Sequence, residues 1–115
     1  MQQTLTRNKG STNVQISNTE ELILTSLFGK ELYGLQVPQA ISEVSGGRRK
    51  VGMGTLYPTL HKLEKKDLIT SRWGDEGKEE RGGARRRYYK LTGKGVAALE
   101  SIQVFRADLL AWQPS

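Results

Sequence analysis

The stretch GTLYPTLHKLEKKDLI, residues 54–69, decides the fold, because its apolar and polar positions separate onto two sides of a helix. Leu56, Leu60 and Leu63 fall within an arc of about 60° at the helical repeat. The opposite side carries Thr55, Pro58, Lys62 and Lys65. The spacing predicts a helix over residues 54–66 that leucines hold to a core. Its first turn, where Pro58 is expected, and its polar side are left for a partner.

Two shorter helices are predicted upstream. The first begins near Asn18, with Ser17 or Asn18 as N-cap and Glu20 or Glu21 as the capping-box partner. Gly29 ends it, and its buried face is expected to hold Ile23, Leu24, Leu27 and Phe28. The second covers about 35–45, with helical spacing of Val37, Ala40, Ile41 and Val44.

Downstream, the sequence predicts two strands and a last helix. The strands cover residues 68–74 and 86–91, and the charged, Gly-rich DEGKEERGGAR between them is a long hairpin loop. The last helix runs over about 92–113. The order favours a mainly α fold with a two-stranded wing (α+β), a winged helix-turn-helix. The expected organisation is a flexible arm (1–16), a winged-helix domain (17–91) and a dimerisation helix (92–113).

The last helix is more apolar than a single docking surface requires. Its apolar side chains cover an arc of roughly 200°, against roughly 100° for a helix that docks on one core. One side is expected to pack on its own domain and the other on the same helix of a second copy; the alternative is a helix wedged into its own core. The predicted dimer interface consists of Leu99, Ile102, Phe105, Leu109, Leu110 and Trp112.

Positive charge concentrates in the middle of the chain. The net charge is +6, from 18 Lys and Arg against 12 Asp and Glu. Residues 48–66 hold six basic side chains and one acid, Glu64, whereas residues 18–45 are mainly acidic. A basic, segregated surface is typical of proteins that bind nucleic acid, although a solvated surface is the simpler alternative.

Composition excludes several other classes. With 115 residues and 36% hydrophobic content, the chain is expected to form one domain. Cysteine is absent, which excludes disulfides and zinc–thiolate sites and fits a cytoplasmic setting. No apolar run is long enough to span a membrane, and the N-terminus does not read as a signal peptide. Neither a metal nor a cofactor is expected.

Three motifs together resemble the PadR family of transcriptional regulators. They are the run over residues 54–69, the pair Tyr33-Gly34, and RYYKLTGKG at 87–95. The resemblance spans roughly residues 20–112. It implies a dimeric repressor of the short branch, in which the C-terminal helices form most of the interface and some members bind a flat aromatic effector between them. Phe105 and Trp112 could line such a space, or be plain interface core.

One loop departs from the family pattern. Residues 46–53, GGRRKVGM, are longer and more basic than the same loop in many relatives, which leaves the length of the second helix open and favours extra phosphate contacts. The chain is also similar to clock-associated members of the family. A role in biological rhythms rests on that similarity alone.

The predicted partner is double-stranded DNA, read by the third helix in the major groove with the wing on the backbone. The predicted contacts are Arg48, Arg49, Lys50, Thr55, Tyr57, Pro58, Thr59, Lys62, Lys65, Arg81, Arg85, Arg86 and Arg87. Strand alternation sends Arg85 and Arg87 to one side and Arg86 to the other. Tyr57 lies at the border of the buried arc, so a packed tyrosine is nearly as good an interpretation.

Three other functions are alternatives to DNA binding. An enzyme has little support, because phosphate-loop, HExxH and GxSxG motifs are absent and the chain has a single histidine. A winged-helix module for protein–protein interaction is the main alternative, and the basic third helix and wing argue against it. RNA binding usually needs exposed aromatics on strands, for which Tyr88 and Tyr89 are the candidates.

Overall fold

The computed structural model describes residues 15–74 and 85–115. The elements in chain order are α1 (Asn18–Ser26), β1 (Leu32–Tyr33), α2 (Gln36–Val44), α3 (Met53–Lys65), β2 (Ile69–Trp73), β3 (Arg87–Leu91) and α4 (Gly93–Ala111). The α+β winged-helix order predicted from the sequence is confirmed. Most of the predicted arm and of the hairpin loop, including Arg81, lie outside the described residues.

The capping box predicted for α1 is present. The Ser17 hydroxyl accepts from the Glu20 amide at 3.1 Å, and the Glu20 carboxylate accepts from the Ser17 amide at 2.8 Å. The expectation that Phe28 is buried is wrong, since its side chain is 53% exposed. The helix ends at Ser26 and the backbone turns at Gly29 with φ +75°, so helical spacing no longer places residue 28 on the buried face.

Glu20 is a buried carboxylate with a cation beside it. Its side chain is 3% exposed, and the Lys66 ammonium at the end of α3 donates to it at 2.9 Å. Burial opposes ionisation of Glu20. The hydrogen bond from the Ser17 amide and the charge of Lys66 outweigh burial and lower the pKa of the carboxyl. The ion pair ties the start of α1 to the end of α3.

Replacing Glu20 with glutamine is expected to lower the free energy of unfolding by about 2 kcal/mol near neutral pH, because a buried charged acceptor is lost. The lowered folded-state pKa means that this contribution is complete above the ordinary carboxyl pKa and disappears as the pH falls through the folded value. Urea unfolding at several pH values measures it. The control is Glu43→Gln, at an exposed position in α2. Equal losses in the two variants, or a Glu20→Gln loss that persists in acid, would contradict the assignment.

Helix α2 is one residue shorter at its end than the predicted range, with Ser45 as its C-cap. The chain leaves it through Gly46 and Gly47, at φ +65° and +82°, a conformation that costs glycine little. Val37 and Ile41 are buried as predicted. Val44 shares their helical spacing, but it is the last helical residue and is 89% exposed.

The sheet has three antiparallel strands in the order β1-β3-β2, whereas the sequence predicted a two-stranded wing. The pairing of β2 with β3 sets Ile69 opposite Leu91 and Trp73 opposite Arg87. The missed strand, β1, contains two residues and pairs with the other edge of β3. It joins the wing to the start of α2.

Helix α3 carries the fold as predicted, since Leu56, Leu60 and Leu63 are at most 1% exposed. It begins one residue earlier than predicted, at Met53. Pro58 is therefore the sixth helical residue and not in the first turn, so that expectation is wrong. A proline there cannot donate to the carbonyl four residues back, at Gly54, and leaves that oxygen without its helical partner.

In helix α4, buried positions lie in the first half and exposed apolar positions lie in the second half, rather than on two opposite sides. Leu99 is 5% exposed and belongs to the core of its own domain, so its assignment to a dimer interface is wrong. Ile102 is half-buried, and the apolar side chains beyond it are exposed: Phe105 60%, Leu109 63%, Leu110 86% and Trp112 68%. The spacing of Ala98, Ile102, Phe105 and Leu109 keeps them on one stripe. That stripe begins in the core and continues beyond it.

Among the described residues, no helix combines the length and apolar character that crossing a membrane requires.

Candidate nucleic-acid interface

The side of α3 opposite its leucines is open to solvent. Thr55, Pro58 and Lys65 are exposed, and the Lys62 side chain is 65% exposed. Gly52 is the N-cap and has no side chain to cap the helix, so the amide end of α3 is also left open. Unpaired amides and the helix dipole make such an end favourable for an anion. The predicted outward side and first turn therefore exist as a continuous basic surface.

Two polar residues, one in α3 and one at its C-cap, are engaged in contacts within the protein. The Thr59 hydroxyl donates to the Thr55 carbonyl at 2.6 Å, so its proton is used within the helix. Lys66 donates to Glu20 and to the Gln15 carbonyl, and its side chain is 24% exposed. Lys66 therefore does not add to the charge of the open surface. The Lys62 ammonium lies 3.9 Å from the same Glu20 carboxylate, but the Lys62 side chain is 65% exposed.

The basic loop before α3 is exposed as predicted. Arg48, Arg49 and Lys50 have no buried side chain among them, and the loop is fixed at its base because the Arg49 amide donates to the Ser45 hydroxyl at 2.8 Å. The loop leads directly into the uncapped start of α3. Loop and helix end together give one surface with several cations.

The arginines at the base of the wing lie against two different aromatic rings. The guanidinium carbons of Arg85 and Arg87 lie 5.8 Å and 4.9 Å from the centre of the Trp73 ring. Arg86 instead lies 4.3 Å from the centre of the Tyr33 ring. Arg85 is exposed, whereas Arg86 and Arg87 are half-buried. Of the three arginines that the structure describes here, Arg85 is thus the best placed to reach a phosphate.

Trp73 is a site residue that was not predicted from the sequence. Its ring is 51% exposed although two guanidinium groups lie against it. The pairing of Trp73 with Arg87 across the wing produces this contact. A tryptophan at the end of a strand, opposite a run of arginines, was the signal that could have found it.

Carboxylates near the open surface are paired along its edges. Glu64 accepts from the Ser71 hydroxyl and approaches the Arg87 guanidinium at 3.9 Å. Glu31 receives two hydrogen bonds from Arg72, at 2.8 Å and 3.0 Å, and these lower the pKa of the Glu31 carboxyl. Within the described ranges, 15–74 and 85–115, no group of three His, Asp or Glu side chains is arranged to hold a metal ion.

The sequence that contains this basic helix, loop and wing matches a known protein family. Residues 23–101 match the sequence model of the family described as "Transcriptional regulator PadR-like family". The chain belongs to this family. The resemblance drawn from the three sequence motifs is therefore confirmed.

Individual PadR-like relatives agree with the assignment. The chain is 39% identical to Transcriptional regulator Rv3488 of Mycobacterium tuberculosis over 67% of this chain and 64% of that protein. The structure of a PadR-like transcription factor from Bacteroides fragilis is similar, with a TM-score of 0.69 and 32% identity over 81% of this chain and 84% of that one. Bacillus subtilis PadR, solved in complex with operator DNA, has a TM-score of 0.66 and 25% identity, over 88% of this chain and 51% of that one.

In this PadR-like chain, the Tyr33-Gly34 pair positions the start of α3. A Cβ on Gly34 would lie 2.8 Å from the hydroxyl of Tyr57 and 3.1 Å from its ring. Gly34 therefore leaves the space that the Tyr57 ring fills, and Tyr57, which is 43% exposed, is both packed and accessible. Both interpretations drawn from the sequence, a packed tyrosine and a DNA contact, are therefore compatible with the position of Tyr57.

Proposed function

We propose that the chain is a sequence-specific double-stranded DNA-binding transcriptional regulator that acts as a homodimeric repressor. The observation that carries the proposal is the open side of α3, which joins an uncapped helix start to the exposed cations Lys62 and Lys65. The buried leucines on the other side hold this helix rigidly to the core. A rigid helix with one free basic side has the shape and charge that the major groove admits.

The wider DNA contact surface follows from this placement. The loop before α3 and the wing would flank the groove and meet the phosphate backbone. The proposed contacts are Arg48, Arg49, Lys50, Thr55, Tyr57, Pro58, Lys62, Lys65 and Arg85, with Thr59, Arg86 and Arg87 closer to packing roles and Arg81 outside the described residues. Bacillus subtilis PadR, whose fold is similar, was solved in complex with operator DNA, which supports this partner.

The proposed dimer uses the outer half of α4. Phe105, Leu109 and Trp112 continue the core stripe of the helix but are exposed in the single chain. A second copy related by two-fold symmetry would cover them helix against helix. Such a dimer would bind a roughly palindromic duplex with half-sites about 34 Å apart. The dimer would act in the cytoplasm and repress transcription by occupying a promoter.

Two further predictions remain open. A flat aromatic effector would have to lie beside Phe105 and Trp112 in the dimer, and a role in biological rhythms would have to act through the regulated gene. Both stay predictions.

Salt dependence of DNA binding tests the proposal. Selection from random duplex DNA supplies a binding site, and its affinity is then measured against salt for the wild type and for Lys62→Gln/Lys65→Gln. Each phosphate contact contributes about 0.9 to the slope of log affinity against log salt concentration. The double variant is therefore expected to flatten the slope by about 2.

The control for this titration is Lys94→Gln, an exposed cation at the start of α4. It removes charge away from α3 and is expected to keep the wild-type slope. If the double variant behaves like Lys94→Gln, α3 makes no phosphate contact. If selection enriches no duplex, DNA is not the partner, and the alternative of a protein-interaction module gains support.

A further inference from the structure

A pocket lies between the wing and the start of α3, next to the proposed DNA surface. Its volume is about 350 Å³, within the range of small-ligand sites. Its lining includes Leu35 at the start of α2, Tyr57 of α3, Trp73 of β2 and the arginines at the start of β3. Four separate elements thus meet around one opening.

The walls of the pocket are aromatic and poorly covered. Trp73 is 51% exposed, Tyr57 43% and Leu35 50%. The Tyr89 ring at 5% exposure completes the lining, and burial raises the pKa of its hydroxyl, which stays protonated near neutral pH. Two half-exposed aromatic rings in one pocket favour a flat ring as the occupant, because stacking covers apolar area that is otherwise wet.

The described lining of the pocket is positively charged. Among the described residues, Arg85, Arg86 and Arg87 line it and no carboxylate does, although Glu64 approaches Arg87 at 3.9 Å. Arg85 and Arg87 offer positive charge that a phosphate monoester, with a charge of about −1.5 to −2, would balance. The guanidinium carbons of Arg85 and Arg87 lie 5.8 Å and 4.9 Å from the centre of the Trp73 ring. A guanidinium beside an aromatic ring can still bind phosphate oxygens through its N–H groups.

We propose that this pocket binds a nucleoside monophosphate, with its base stacked on Trp73 or Tyr57 and its phosphate held by Arg85 and Arg87. The base stacks on the aromatic walls, and the phosphate balances the positive charge of the arginines. An aromatic molecule without a phosphate, or a phosphate without a base, meets half of these requirements and binds more weakly.

The same pocket couples the ligand to DNA, a step that rests on the proposed function. Tyr57 and Arg85 belong both to the pocket lining and to the proposed DNA surface. A bound nucleotide engages the wing cations and lowers the charge available to the duplex. Occupancy is therefore expected to weaken DNA binding.

Tryptophan indole resonances test ligand binding without DNA. The chain has two tryptophans, Trp73 and Trp112, and their indole N–H signals are assigned with single Trp→Phe variants. AMP and GMP are titrated as probes, with adenosine and inorganic phosphate as the partial ligands. The expected result is a saturable shift of the Trp73 signal with a dissociation constant in the micromolar to low millimolar range, at least tenfold tighter than either partial ligand. Arg85→Gln is expected to weaken AMP binding about tenfold, and Lys94→Gln is the matched control for loss of one positive charge.

Each other outcome overturns a stated part of the proposal. No saturable Trp73 shift, or one that inorganic phosphate reproduces, overturns the nucleotide site. A shift confined to Trp112 would place an aromatic ligand at the dimer helices instead. Affinity for the selected duplex is then measured with saturating AMP, and at least a threefold loss is expected. Unchanged DNA affinity while Trp73 still shifts overturns the coupling, whereas failure of the chain to bind any duplex is a failure of the proposed function.

Discussion

The Gly95→Ala variant is expected to lose at least about 3 kcal/mol of unfolding free energy, because a methyl group at this position has no space. A Cβ there would overlap the Leu68 carbonyl oxygen at the start of β2. That oxygen is a backbone atom and already accepts from the Thr92 amide at 3.1 Å, so it cannot turn aside as a flexible side chain could. At Gly95, therefore, α4 packs directly against the backbone that leads into β2.

Chemical denaturation at one fixed protein concentration measures this loss, since the proposed dimerisation would make stability depend on concentration. The matched control is Gly93→Ala, two residues earlier in α4, where an added Cβ meets nothing within 4 Å. That variant is expected to be neutral or slightly more stable, as alanine favours the helix. Comparable stability of the two variants would show that α4 packs differently on β2.

The Leu109→Glu variant is expected to dissociate the dimer, with a dissociation constant at least about 100-fold higher than that of the wild type. Leu109 is 63% exposed in the single chain, so a charge there leaves the monomer fold intact. In the proposed dimer it is desolvated against the partner helix, where an unpaired carboxylate is costly. Sedimentation equilibrium measures the constant, and circular dichroism checks the fold.

The control for dimerisation is Gln103→Glu on the same helix. Gln103 is exposed and lies off the apolar stripe through Ile102, Phe105 and Leu109. It carries the same new charge and is expected to leave the dimer unchanged. A wild-type protein that sediments as a monomer at micromolar concentration, or a Leu109→Glu protein that remains dimeric, contradicts the proposed interface.

Features set by neighbouring residues were predicted well from the sequence. The Ser17–Glu20 capping box depends on four consecutive residues. The burial of Leu56, Leu60 and Leu63 depends on helical spacing within one element. Because each pattern is local, the residues that produce it can be read side by side.

Features set by distant contacts were not predicted. Strand β1 has two residues and no alternation to detect; its pairing with β3 joins positions more than 50 residues apart. Lys66 looked like part of the basic surface, but a buried carboxylate on α1 draws it inward. These outcomes depend on how elements dock, which the spacing within any one element does not contain.

The apolar excess of α4 was detected, but its arrangement was misjudged. The number of apolar positions on the helix can be read from the sequence. Their wide arc predicted that one side packs on its own domain and the other side on a second copy. The structure instead buries Ala98 and Leu99 and leaves Phe105 and Leu109 uncovered. Which apolar positions are buried depends on where along the helix the domain ends. The helical pattern alone does not mark that point.

The open side of α3 is expected to lie in the major groove when the protein is bound to DNA. The chain has no cysteine, so His61→Cys provides a single site for an iron chelate that cuts nearby DNA. His61 is exposed beside Lys62 and is not itself a proposed contact. On the selected duplex, cuts are expected to cluster around one major groove in each half-site, whereas the chelate on Lys94→Cys is expected to cut no more than free chelate. Equal cutting from both positions, or none from residue 61 while the protein is bound, would contradict the account.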